Sequence, residues 1–204
     1  MKIGRIEDMN LHLLRIRERV TEEALPPEGM VLEIGPGEAT FDKKGCRYVG
    51  VNLSMRGHPS LLADGHALPF RSEAFDFVIA TEVIEHVRYP FKFLREIRRV
   101  LKPSGRVLLT TPNVAIPVNR VALAVFGVFP DDRTLHDGSD VGHIHFFTRK
   151  YFLEALRAEG FVVRRERDFL VQILPKRYLY DTVLERLLPN HAKQIVVELG
   201  IRPA

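Results

Sequence analysis

Residues 31–41 read VLEIGPGEATF, and this stretch decides the fold. Val31 to Ile34 is a short β-rich run that passes directly into Gly35-Pro36-Gly37. Two glycines at the carboxyl end of a strand clear side chains from a place where something must approach the backbone, which marks a ligand loop on an α/β sheet. A dinucleotide fingerprint would need a third glycine at position 40, where the chain has Thr40, and no Gly-Lys-Ser/Thr follows as a phosphate loop requires. By itself the loop leaves its ligand open, and a tight structural turn would explain it too.

Further β-rich runs bounded by turn residues extend this start: RYVGVN at 47–52, a brief SLLAD at 60–64 and FDFVIA at 75–80. Pro90 can open a helix whose apolar face is Phe91, Leu94, Ile97 and Leu101, and Pro103-Ser104-Gly105 ends it before the strand RVLLTT. A helix between two buried strands is a βαβ crossover, so the sheet is expected to be rich in parallel pairs. Downstream come an apolar stretch at 114–129, a polar loop, HIHFFT and the helix RKYFLEALRAEG, closed by Gly160. Two strand candidates follow, FVVRRERDF and KQIVVEL, with residues 170–190 between them expected to form a helical flap. Upstream, Ile6, Met9, Leu13, Ile16 and Val20 recur at helical spacing, so residues 1–28 are expected to be an N-terminal helix stopped by Pro26-Pro27.

Composition narrows the class. The 204 residues carry a net charge of +4, with 46% hydrophobic and 27% charged side chains, which suits one globular domain over 1–204. Cys46 is the single cysteine, so neither an internal disulfide framework nor a Cys-rich zinc module is available, and a cytoplasmic location is expected. The longest apolar stretch, Val121 to Phe129, is far shorter than the roughly 18 residues that span a bilayer, so no transmembrane segment is expected. The basic run from Arg88 to Arg106 reads as the wet side of an amphipathic helix, and nucleic acid is not the expected partner.

Taken in order, VLEIGPGEATF, YVGVNLS, LADGHALPFRSEAFDFVIATEVIEHV and LREIRRVLKPSGRVLLTTPN resemble the class I S-adenosylmethionine-dependent methyltransferases, in particular those acting on small molecules, lipids and sugars. The resemblance is close over 31–113 and looser from HIHFFT to AEGFVV. It implies a Rossmann-like, mainly parallel seven-stranded sheet with the last strand antiparallel. S-adenosylmethionine is the implied cofactor, and a small molecule, sugar or lipid the implied acceptor. Glu33, Gly35 and Gly37 would shape the pocket for its methionine part, and Asn52 would meet the ribose hydroxyls. Asp64 would accept from the adenine amino group between Gly65 and His66, while Thr81 and Glu82 would line the amino-acid end.

The chain departs from the family pattern in three places. Ala39 replaces the third loop glycine, and Asn52 stands where a carboxylate is usual, so Asn52→Asp is expected to tighten cofactor binding. Only 17 positions separate Gly35 from Asn52 and 12 separate Asn52 from Asp64, so the crossovers after the first two family strands are expected to be truncated.

Methyl transfer from a sulfonium needs alignment and exclusion of water more than catalytic side chains. A hydroxyl acceptor would also need a base. Glu85, His86, His143 and His145 are the candidates, with His86 and His145 ranked first. Asp131, Asp132, His136, Asp137, Asp140, His143 and His145 lack any recognised metal-ligand spacing and read as a solvated loop, so no metal is expected. The insert at 114–142 follows a strand's carboxyl end and is expected to face the substrate, as a lid, a core element or a homodimer contact. An RNA methyltransferase is the near alternative, and a module that holds the cofactor without transferring methyl is the alternative of another class.

Overall fold

The computed structural model describes residues 2–5, 9–37, 42–43, 45–127, 142–174, 177–180 and 192–202, with side chains over 14–37, 42–43, 45–127, 142–166 and 194–202. Its centre is β2 (Glu28–Ile34), which pairs in parallel with β3 (Gly45–Asn52) on one side and β5 (Phe75–Thr81) on the other. β3 continues to the short β4 (Leu61–Leu62), and β5 pairs in parallel with β6 (Leu101–Pro112). The last strand, β9 (Ala192–Ile201), runs antiparallel between β6 and β7 (Phe161–Leu174). These seven strands are the sheet expected from the sequence. Two more, β8 (Arg177–Tyr180) and β1 (Lys2–Arg5), extend it beyond β7, giving the order β1-β8-β7-β9-β6-β5-β2-β3-β4.

Strand alternation splits the core into two layers. Leu32, Val78, Ala80, Val107, Leu109 and Val197 point to one face, covered by α2 (Pro90–Val100) and α4 (Arg149–Ala158). Val31, Phe77, Ile79, Leu108 and Val196 point to the other, covered by α1 (Met9–Ala24) through Val20 and Ala24. Helix α2 starts at Pro90, buries Phe93, Leu94, Ile97 and Val100, and carries Arg98 and Arg99 in its last turn, where they oppose the helix dipole. Removing Phe93 to alanine would cost about 3–5 kcal/mol, since its ring is fully buried in this layer. Helix α4 is capped by Thr148, whose hydroxyl accepts from the Tyr151 amide at 3.2 Å, and Gly160 follows it at φ 83°.

Several expectations change. The N-terminal helix is shorter than residues 1–28, because Lys2–Arg5 is a strand held by antiparallel pairing to β8 and the helix begins at Met9. Ile6 lies outside the described residues. Residues 170–174 are not a helical flap but the end of β7, and 177–180 form β8; β-branched and aromatic residues pair across strands here, and pairing outweighs local helical spacing. The rest of that flap lies outside the described residues. Phe91 is exposed, and Phe93 takes the core position instead. The connections from β2 to β3 and from β3 to β4 are short, as expected, at 35–44 and 53–60.

The basic run is largely neutralised by local partners. Arg95 bonds Glu159, Arg99 bonds Glu96, Lys102 bonds Asp76 and Arg106 bonds Glu198. Charges spent on intramolecular pairs make a poor phosphate-binding surface. Among the described residues, no helix is long and apolar enough to cross a membrane.

Candidate active site

Parallel pairing brings the carboxyl ends of β2, β3, β5 and β6 to one edge of the sheet, where α/β folds place their ligands. Gly35 leaves β2 at φ 71°, donates its amide to Val51 O at 2.8 Å and packs against Val83, whose Cγ2 would lie 2.7 Å from an added Cβ. Glycine is therefore required here by both dihedral and space. Gly37 differs: an added Cβ would meet none of the described residues within 4 Å. Ala39 lies outside the described residues.

Glu33, at 4% exposed, points to the α1 face and accepts a short hydrogen bond from the Tyr48 hydroxyl. Burial pushes its carboxyl above the usual range, against the opposing effects of Tyr48 and Lys43. Asn52, at the end of β3, ties two loops together. Its Nδ2 donates to Arg56 O at 2.9 Å and to Pro36 O at 3.4 Å, and its Oδ1 accepts from the Leu53 amide. The same junction contains Gly57 at φ 74°, where a Cβ would collide with Pro36 O.

Asp64 accepts from the His66 amide at 2.8 Å and from His66 Nδ1 at 2.6 Å, both through Oδ1. The backbone amide of His66 is the main cause that holds the Asp64 carboxyl below its ordinary value. His66 Nε2 in turn accepts from the Tyr89 amide at 3.2 Å, so this imidazole joins the Asp64 turn to the start of α2. Gly65 makes room for Phe93, whose ring would lie 2.8 Å from an added Cβ.

Thr81 ends β5 and lines a narrow crevice under α1 with Ile16, Arg17, Val20, Thr110 and Gln194. Glu82 follows in the left-handed region at φ 56°, uncommon for a residue with a side chain and costing of order 1–3 kcal/mol. Its surroundings hold it there. The Glu82 amide donates to Thr110, while its carboxylate accepts from Thr110 Oγ1 at 2.7 Å and Gln194 Nε2 at 3.0 Å, with Arg17 at 4.0 Å.

Beyond Glu82 the chain carries Glu85, His86 and, from a distant segment, His143, whose ligand atoms all lie within 4.8 Å of one another. The Ile144 and His145 amides both donate to Glu85 O, at 2.9 and 3.0 Å, and strap the two segments together. Glu85 is buried, and burial, reinforced by the Glu82 charge, raises its carboxyl well above the ordinary value. His86 Nδ1 lies 3.3 Å from Gly142 O. His145, ranked beside His86 from sequence, instead places Nε2 3.4 Å from Arg88 O.

A family profile described as "Methyltransferase domain" matches residues 6–166 of the chain. The chain belongs to this methyltransferase family. An uncharacterised methyltransferase of Mycobacterium leprae is 36% identical over 102 residues, covering 42% of this chain and 38% of the relative. This methyltransferase-family chain thus matches less than half the length of that curated relative. Among solved structures, an S-adenosylmethionine-dependent methyltransferase of Thermotoga maritima superposes with a TM-score of 0.63 at 21% identity, covering 96% of this chain and 95% of the other. The Burkholderia thailandensis 1,6-didemethyltoxoflavin-N1-methyltransferase, solved with 1,6-didemethyltoxoflavin and S-adenosylhomocysteine, gives 0.61 at 15% identity, covering 93% and 78%. These likenesses establish the Rossmann-like methyltransferase fold.

The glycine loop, Asp64 and the Glu85–His86 pair stand out in the sequence of this family member. Tyr48, Gly57, Thr110 and Gln194, which contact those segments, do not. Tyr48 was accessible from period-two alternation, being on the same strand face as Val31 and Glu33 once β2 and β3 are paired. Gln194 carries no such local signal, because it reaches Glu82 from 112 residues away.

Proposed function

We propose that the chain is an S-adenosylmethionine-dependent methyltransferase that acts on a small-molecule, sugar or lipid acceptor. The observation that carries this reading is the space beside Gly37, just past the carboxyl end of β2, which no described residue fills within 4 Å of an added Cβ. A loop glycine with that space beside it fits the close approach of a ligand to the backbone. Glu33, Gly35 and Gly37 would hold the methionine part of the cofactor, Thr81 and Glu82 its amino-acid end, and Asp64, Gly65 and His66 its adenine. Asn52 would serve the ribose indirectly, by fixing the loop at Pro36. The bound group supplies a methyl already activated on a positively charged sulfur.

The chain's own work is then to position the acceptor, exclude water and handle its proton. His86 is the side chain on which acceptor ionisation rests; His145, turned toward Arg88 O, borders the same strap and contributes to its shape. Helix α3 (Pro117–Phe126) follows β6 beyond Asn113 and buries none of its residues, with Val121, Leu123, Val125 and Phe126 all exposed. That apolar surface supports residues 114–142 as the substrate-side insert of a single domain over 1–204, and favours an acceptor with an apolar part. A cytoplasmic setting belongs to the same proposal and rests on the single cysteine.

Calorimetric titration with S-adenosylmethionine and S-adenosylhomocysteine, with NAD as control, tests the reading. Micromolar binding of the first two alone supports it and opens a screen of acceptors for methyl incorporation. A folded protein that binds neither overturns it.

A further inference from the structure

Glu85, His86 and His143 converge with one carboxylate oxygen and two imidazole nitrogens within 4.8 Å. Glu85 is 1% exposed; Oε2 accepts from Thr111 Oγ1 at 3.1 Å, and Oε1 is buried with no hydrogen-bond partner among the described residues. A carboxylate oxygen withdrawn from water and left bare is unfavourable, and native interiors seldom keep one without a positive or donating partner. We propose that Glu85, His86 and His143 bind a divalent first-row transition cation.

The donor set selects the class of ion. Two imidazoles and one carboxylate, with further positions open, suit zinc and its neighbours, whereas magnesium and calcium favour oxygen donors. Metal–ligand bonds near 2.1 Å place tetrahedral ligand atoms about 3.4 Å apart, so each atom has to move by less than about an ångström. The surroundings orient the ligands. His86 Nδ1 faces the Gly142 carbonyl, which leaves Nε2 as its ligating atom, and Thr111 fixes one oxygen of Glu85. Imidazole–carbonyl and carboxylate–hydroxyl bonds of this kind usually set the ligand geometry in metal sites. The backbone strap from Ile144 and His145 to Glu85 O holds His143 against the other two. Nearby, Glu82 adds negative charge and Arg17 opposes it.

The site stands on its own geometry, while its role in acceptor ionisation rests on the methyl-transfer reading. In that role His86 acts as a ligand rather than a free base. An acceptor oxygen on the open positions is acidified by the cation, so its proton leaves to solvent without a dedicated base.

The test uses chelator-treated protein titrated with Co²⁺, followed by visible absorption and calorimetry, with Zn²⁺ as competitor and Mg²⁺ as control. The expected result is one equivalent of Co²⁺ with a saturable d–d absorption, displaced by Zn²⁺ and not by Mg²⁺. His143→Ala and Glu85→Gln should each weaken binding by more than the roughly 10–100-fold that loss of an orienting partner causes. No saturable signal, or equal binding by wild type and both variants, overturns the proposal. His143 is only half-buried, so His143→Ala carries the test if Glu85→Gln fails to fold. Parallel titration with S-adenosylmethionine separates the two ideas: Co²⁺ binding without cofactor binding sinks the methyl-transfer reading alone, and the reverse sinks the metal site alone.

Discussion

Tyr48 on β3 donates its phenolic hydrogen to Glu33 on β2, diagonally across a parallel strand pair and beneath α1. Glu33→Gln is expected to stabilise the free protein at neutral pH, because burial raises the Glu33 pKa above its ordinary 4.5. A raised acid contributes its full stability below the unfolded value and loses it as pH rises through the folded value. The advantage of the variant should therefore grow as pH rises above about 4.5 and level off above the folded pKa. Denaturant unfolding across pH 4–8 reads it, and cofactor affinity should fall in the same variant.

Asn52→Asp is expected to weaken cofactor binding, the reverse of what the family pattern alone suggests. Its Nδ2 donates to the carbonyls of Pro36 and Arg56, and a carboxylate would set an oxygen against both. Losing these bonds should lower cofactor affinity by about 1–2 kcal/mol, roughly tenfold. Tighter binding in calorimetry would mean that the loops rearrange to present the new carboxylate to the ribose.

Gly35 and Gly37 should respond oppositely to alanine. Gly35→Ala combines a left-handed dihedral with a clash on Val83 and should destabilise the protein by more than about 1 kcal/mol. Gly37→Ala has room and should leave stability within about 0.5 kcal/mol. Cofactor affinity should nevertheless drop at least tenfold in Gly37→Ala, and normal affinity there would move the ligand away from this loop.

Acid should loosen α2 from the segment before β5. Glu96 accepts two bonds from Arg99 and one from the Leu68 amide, and Arg99 also reaches the carbonyls of Leu68 and Phe70. The Arg99 bond holds Glu96 below its ordinary 4.5, so this contribution is present above about pH 4.5 and disappears as pH falls through the lower folded value. Wild type should lose Tm more steeply than Glu96→Gln over that window, and parallel Tm curves would place the acid sensitivity elsewhere.

What could be read from the sequence divides along physical lines. The strands around Val31, Val49, Val78 and Leu108 announce themselves because buried parallel strands are short apolar runs between turn residues. β1 and β8 did not, since Lys2–Arg5 is a strand through its pairing with β8, and Arg177–Tyr180 through its pairing with β1 and the end of β7. At the site, the glycine loop and Asp64 were legible because turns demand particular residue types. The Glu85–His86–His143 convergence was only half visible. His143 is 57 positions beyond His86, and the proximity comes from amides of 144 and 145 that any residue could provide.

The position of β9 between β6 and β7 has a consequence for biogenesis. During synthesis β6 and β7 emerge first and stand apart, each with an unpaired edge, until the segment ending at Ile201 arrives and inserts between them. The sheet is thus completed from its middle by a strand that follows both of its neighbours in sequence, a long-range step that leaves two adhesive edges exposed until it occurs. A chain stalled before Ala192 would lack the wedge that joins its two halves, so truncation there should yield aggregation.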